Sequence, residues 1–311
     1  MSFNYVEGVT TVKDIVKALA IDLTIATQNK WTLKVPNTTG EITDSCILET
    51  TTTFNKKFYL KIIKPENSLN HIMLQIGNQF DDGTKDLEKG KHSTTARFSW
   101  YRDIKELYLG EWLPVQYWLS FSEDFINIVL QGDPSPDVPP YENYLISYAY
   151  IGALIGYEGA DEDTDYNFAL TTSSDQFLED GEYPKEFGNR TGSGITDIIM
   201  VGTRTGTPYQ AHYPSFHTTN PSMDKNFIGS SNWTHKYHMS ELVVTHAYDR
   251  ERGKMQNMLV GDRSAIYHLD ELIQDKGLDT EKTYKMFNIN APYNFLNNGP
   301  NVLYGIAIRK S

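Results

Sequence analysis

The sequence predicts a mainly β protein, a β-sandwich or elaborated barrel with an N-terminal amphipathic helix, one short C-terminal helix and long loops. Three observations predict it. From Trp31 onward apolar residues recur at every second position, the pattern of strands with one buried face. Polar stretches rich in Pro, Gly, Ser and Asn separate these runs and are too long to be tight turns. Aromatic residues make up 13% of the chain, with 20 Tyr against 5 Trp. That bias suits strands, and also surfaces with one dry and one wet end such as subunit interfaces.

The helix comes first. Val12, Ile15, Val16, Leu19, Leu23 and Ala26 fall on one helical face, and Thr11 followed by Asp14 forms a capping box with Asp in the Glu role. Packing onto the following sheet is the favoured role. The strands follow. Phe58, Leu60 and Ile62 alternate with Tyr59 and Lys61, and Ile72, Leu74 and Ile76 alternate with Met73 and Gln75. Leu119 and Phe121 alternate with Ser120 and Ser122, and Ile126, Ile128 and Leu130 resume after a short Ser-Glu-Asp turn at 122–124. Tyr148 to Ile155, Ile198 to Val201, Leu242 to Tyr248 and Val302 to Ile308 read as further strands. A short helix is expected from about Ala265 to Lys276, with Gly277 as its stop. Asp249 to Gly253 reads as a hairpin turn, with Gly253 supplying a positive φ.

Residues 132–141 hold four prolines and form no regular structure. Strand-like segments abut them on both sides, which favours a loop between paired strands over a domain linker. The chain therefore reads as one elaborated β domain over 1–311, with 132–141 as the place for any subdivision. Two further loops run from Asp180 to Asp197 and from Tyr213 to Trp233.

The formal net charge is -12 and no basic cluster exceeds the pair Lys56-Lys57, which excludes direct binding to a nucleic-acid backbone. Cys46 is the single cysteine, so no intrachain disulfide or cysteine-based zinc site exists. The N-terminus shows no signal peptide and no apolar run is long enough to span a bilayer, so synthesis and solubility in a cytosol are expected.

Candidate chemistry is thin. Asp161, Asp163 and Asp165 match the opening of a calcium loop, but Tyr166 stands where that loop needs glycine and Thr172 where it needs a bidentate glutamate. A solvated acidic loop is the favoured reading, with a weak metal site as the alternative. Five histidines lie between His212 and His246, and His235 and His238 are three apart, in a segment that reads as loop. Ordinary loop histidines rank ahead of a metal site. No nucleophile elbow or phosphate loop is present, and Gly202 to Pro208 reads as a glycine-rich strand connection. Cys46 reads as a buried structural thiol. Paired carboxylates suited to glycoside hydrolysis carry no sequence signature of their own. No cofactor is implied.

Several phrases do carry a resemblance. They are Trp-Leu-Ser-Phe-Ser from Trp118, Asp-Phe-Ile-Asn-Ile-Val-Leu-Gln-Gly-Asp-Pro from Asp124, Tyr-Leu-Ile-Ser-Tyr-Ala-Tyr-Ile-Gly from Tyr144, and the run from Asp163 to Ser174. Phe287-Asn-Ile-Asn-Ala-Pro-Tyr-Asn-Phe and Pro300-Asn-Val-Leu-Tyr-Gly-Ile-Ala-Ile-Arg-Lys belong with them. Together these segments resemble virion structural proteins of tailed bacteriophages infecting Gram-positive bacteria, of the tail or baseplate type. The resemblance implies a part of the virion, made in the host cytoplasm, that forms homo-oligomers and contacts other virion proteins. A host-wall glycan binder is the second reading, with Tyr213, Trp233 and Tyr237 as flat amphipathic platforms in the long loops. A wall-polymer glycosidase is third.

Overall fold

The computed structural model describes residues 4–26, 30–89, 95–100, 110–132, 146–155, 168–172, 198–201, 210–212, 240–246, 250–262, 268–273, 282–288 and 304–311. Helix α1 (Ile15–Ala26) starts one residue after Asp14, whose backbone N–H donates to the Thr11 hydroxyl oxygen at 3.3 Å. Val12, Ile15, Val16, Leu19, Ala20 and Leu23 are completely buried, as the helical spacing requires.

Apart from a short 3-10 helix at Thr39–Glu41 and connecting turns, the remaining described structure is strands in antiparallel sheets. The central sheet has seven, in the order β1 (Asn4–Thr11), β9 (Pro114–Phe121), β10 (Phe125–Gly132), β11 (Ile146–Ala153), β12 (Phe168–Thr172), β13 (Ile198–Val201) and β14 (Gln210–His212). One five-stranded sheet runs β2 (Trp31–Val35), β3 (Ser45–Thr51), β4 (Lys57–Ile63), β5 (His71–Gly77) and β8 (Ala96–Ser99). A second runs β15 (Ser240–His246), β16 (Arg250–Asp262), β19 (Tyr304–Arg309), β18 (Thr283–Asn288) and β17 (Glu271–Ile273). A small hairpin, β6 (Phe80–Asp81) with β7 (Asp86–Leu87), lies on the outer face of the β2–β8 sheet, where Phe80 and Leu87 cluster with Val35, Ile47 and Tyr59.

Side-chain parity shows that these sheets stack in three layers. Val115, Leu119 and Phe121 of β9, Ile126, Ile128 and Leu130 of β10 and Ala149 and Ile151 of β11 share one core with α1 and the β2–β8 sheet. Their alternate neighbours Trp118, Val129, Tyr148 and Tyr150 share a second core with Met255, Met258, Phe287, Ile306 and Ile308 of the β15–β19 sheet. The central strands are therefore buried on both faces, and every residue of β11 is buried. This refines the expectation of strands with one wet face. Ser120, read as a solvent-side residue, is fully buried because the third layer covers it.

Polar contacts fix the layers to one another. Tyr117 donates to Asp22 of α1 at 2.6 Å. Ser147 and Thr172 donate to the carbonyls of Ser99 and Arg97, joining the central sheet to β8. On the other side Asn127 donates to the carbonyl of Gln256 at 2.9 Å and accepts from Tyr148 at 2.9 Å. The Asn288 backbone N–H donates to His268 Nδ1 at 3.3 Å, which leaves the Nε2 proton to donate to Gln131 at 3.0 Å.

Two local expectations are corrected. Within the stretch read as a C-terminal helix, Glu271–Ile273 is strand β17, paired with β18; Leu272 and Ile273 extend that ladder in place of a helical turn. Arg250 to Gly253, read as a turn, belongs to the thirteen-residue β16, and the register shifts between Val244 and Thr245 opposite it. A bulge absorbs the extra residue there. The proline-rich segment does join paired strands: β10 and β11 run in register from Phe125↔Gly152 to Gln131↔Ile146.

Candidate functional site

The densest polar constellation among the described residues is the turn Ser122-Glu123-Asp124 between β9 and β10. Asp124 is fully buried, and its carboxylate accepts from the backbone N–H and the hydroxyl of Thr53, each at 2.7 Å. Its own carbonyl accepts from Ala153 N–H at 2.7 Å. The Ser122 carbonyl accepts from the indole of Trp31 at 2.7 Å. Glu123 pairs with Lys30 at 2.6 Å through one oxygen, while the other is buried and unpartnered. Thr50 donates to the Glu123 carbonyl at 3.4 Å.

Apart from the Ala153–Asp124 bond, which stays within the central sheet, each of these bonds crosses between the central sheet and the segments around β2 and β3. Charge-assisted bonds of this kind are roughly twice as strong as neutral ones. The two carboxylates are thus committed to holding layers together, and no nucleophile stands beside a base in the turn. The polar row of the second core has the same character: Tyr150 donates to the Ala153 carbonyl at 2.5 Å, and Gln256 Nε2 donates to that carbonyl at 2.9 Å. Ser120, paired across the sheet with Asn127, leaves its hydroxyl oxygen without a partner in this row.

Burial pushes the Cys46 thiol up to about 12, with a backbone hydrogen bond at Ile62 opposing the shift. The thiolate that attacks electrophiles is therefore suppressed. Burial likewise raises the Tyr150 phenol well above its usual range. Raised folded-state values have one sign: the unfolded chain releases these protons first, so stability is intact below pH ~8.5, the ordinary thiol value, and falls as pH climbs from there through about 12. Native protein at neutral pH is expected to resist maleimide at Cys46. In an alkaline titration, thiol labelling should appear together with loss of the folded signal. Labelling that precedes unfolding would contradict this.

Strand edges are the other feature with chemistry to offer, because an edge presents unpaired N–H and C=O groups. Among the described residues the three large sheets end in six strands, and five are short or irregular. β14 and β17 have 3 residues each, and β8 has 4 and carries Arg97. β2 has 5, carries Lys34 and shifts register between Leu33 and Val35. β15 shifts register twice. β1 is different: its 8 residues run in unbroken register from Asn4↔Phe121 to Thr11↔Pro114, with no proline, no lysine and one acidic residue, Glu7. Val9 is 67% exposed. The β-branched and aromatic residues Tyr5, Val6, Val9, Thr10 and Thr11 were the available signal for this strand. Without strict alternation they did not read as one.

The site residues singled out from the sequence fall for the most part outside the described residues. Asp161, Asp163 and Asp165 lie outside the described residues, as do Tyr213, Trp233 and Tyr237 and the pair His235 and His238. His212 ends β14 and His246 ends β15, in different sheets. Thr172, at the twelfth position of the calcium-like stretch, is a buried strand residue donating to Arg97 at 2.8 Å. Among the described residues no cluster of His, Cys, Asp and Glu is arranged to hold a metal ion, and no helix is long and apolar enough to cross a membrane. No family model, curated protein or solved structure matches the chain.

Proposed function

We propose that the chain is a structural component of a phage particle, of the tail or baseplate type, acting by self-association and by contacts with neighbouring virion proteins. The observation that carries this reading is β1, a long regular edge on a three-layer β frame. Edges of that kind are aggregation hazards unless a partner takes them up. Two further features support it. The phrases that resemble phage virion proteins fall on β9, β10, β11 and β12 and on β18 and β19, the strands of the frame. The buried carboxylates of the 122–124 turn are spent on structure, and Cys46 is a suppressed thiol, which favours assembly over catalysis.

Light scattering on the purified chain over a wide concentration range tests the proposal. A closed oligomer that persists on dilution is the expected result. A monomer at every concentration would overturn it, and stabilisation of that monomer by wall glycans would establish a binding module instead.

A further inference from the structure

We propose that β1 pairs with β1 of a second copy, antiparallel about a two-fold axis through Gly8, so that the central sheets of two protomers join into one. The inference rests on the self-association reading above and specifies its surface and register.

The outer row of β1 follows from its inner one. The Val12 N–H donates to the Leu113 carbonyl, one step beyond the Thr11↔Pro114 pair. Antiparallel ladders alternate, so even-numbered residues face β9, and Tyr5, Glu7, Val9 and Thr11 turn their N–H and C=O groups away from it. Among the described residues the one backbone bond on that outer row is at its end, where Asp14 N–H donates to the Thr11 carbonyl at 3.1 Å; no backbone group hydrogen-bonds the outward groups of Tyr5, Glu7 and Val9.

A strand pairs with its own copy in antiparallel fashion, keeping both sheet faces in place, through an axis perpendicular to the sheet. Centred on Glu7, the axis sets two carboxylates directly opposite, which is destabilising. Centred on Gly8, it sets Glu7 opposite Val9 and Tyr5 opposite Thr11, so that outer-row residues meet one another. Gly8 then occupies the narrow pair on the axis, where Cα atoms approach to ~4.5 Å. The Glu7 charge is already accompanied: Lys310, whose first partner is Glu271, also feels the Glu7 carboxylate. A second copy is thus the occupant whose charge pattern this edge accepts.

The test uses the full chain in sedimentation velocity at low salt, with three variants at Val9. Val9→Pro removes an outward N–H on each copy and leaves the β9 ladder intact, since an edge proline is tolerated on its open side. Its dimer dissociation constant should rise at least ~10-fold. Val9→Glu places a carboxylate opposite the second copy's Glu7 and should weaken pairing likewise, whereas Val9→Lys places an ammonium there and should keep or tighten it. Should Val9→Pro fail to fold in a thermal melt, the Glu and Lys variants decide the question alone. An oligomer indifferent to these changes overturns the edge pairing and leaves the assembly reading standing. A monomer at every concentration overturns both.

Discussion

Gly152→Ala is expected to destabilise the protein by about 4 kcal/mol, a large share of the roughly 5–15 kcal/mol that holds an ordinary domain folded. Gly152 has φ +138°, a conformation that L side chains rarely adopt. A Cβ built there would lie 2.4 Å from the Asp124 carbonyl oxygen and 2.5 Å from Phe125 Cα. Neither atom is free to retreat. The carbonyl accepts from Ala153 N–H at 2.7 Å, and the Asp124 side chain is held from the other side by Thr53. Gly40→Ala is the control, since its Cβ would meet only Thr38 Oγ1 at 3.9 Å. Urea unfolding should show an unchanged midpoint for Gly40→Ala and a strongly lowered one for Gly152→Ala. Comparable midpoints would mean that the turn yields.

The second large effect belongs to Trp31→Ala, at about 4–5 kcal/mol. Trp31 is fully buried, packs edge-on against Phe58 with ring centroids 6.1 Å apart, and donates from its indole to the Ser122 carbonyl at 2.7 Å. Truncation both opens a cavity and leaves a buried carbonyl without that donor. Trp31→Phe separates the two terms: it keeps most of the ring packing and removes the indole N–H, so a loss of about 1–3 kcal/mol is expected. If the two substitutions cost the same in denaturant unfolding, the hydrogen bond and not the volume dominates.

Local pattern was a good guide wherever an element buries one face against one neighbour. Val12, Ile15, Val16, Leu19 and Leu23 announced α1 because each sits in a single core. β4 and β5 were legible for the same reason, as was the 122–124 turn, since three polar residues between two apolar runs leave the chain little choice. The three-layer stack was not legible. In the central sheet Ser120, Asn127 and Tyr150 are polar yet buried, because a third sheet drawn from the last quarter of the chain covers them. Their alternation with apolar residues imitates a wet face.

The C-terminal misreadings have a related cause. Helix propensity around 265–276 was outweighed by pairing of β17 with β18, an interaction with no local signature. The polar start of β16 looked like a turn because the bulge there tolerates arginines and a glycine. As for candidate sites, the residues chosen by type and spacing fall outside the described residues, whereas the chemistry of the described frame depends on spatial meetings such as Asp124 with Thr53. Such meetings leave no trace in spacing.

The β1–β9 ladder also has a consequence for biosynthesis. Residues 4–11 find their partners at 114–121, roughly a hundred positions later, so β1 leaves the ribosome long before β9 exists. At ~5–20 residues per second the wait is on the order of 5–20 s. The β2–β5 meander, whose neighbours are successive in sequence, can be complete by then. For that interval both borders of β1 lack their mate, and two nascent chains on one message are near enough to meet. A strand destined to join copies would gain from that timing, whereas one destined only for β9 would need shielding. The order of synthesis has β1 emerge before β2 to β8 yet find its partner only after them.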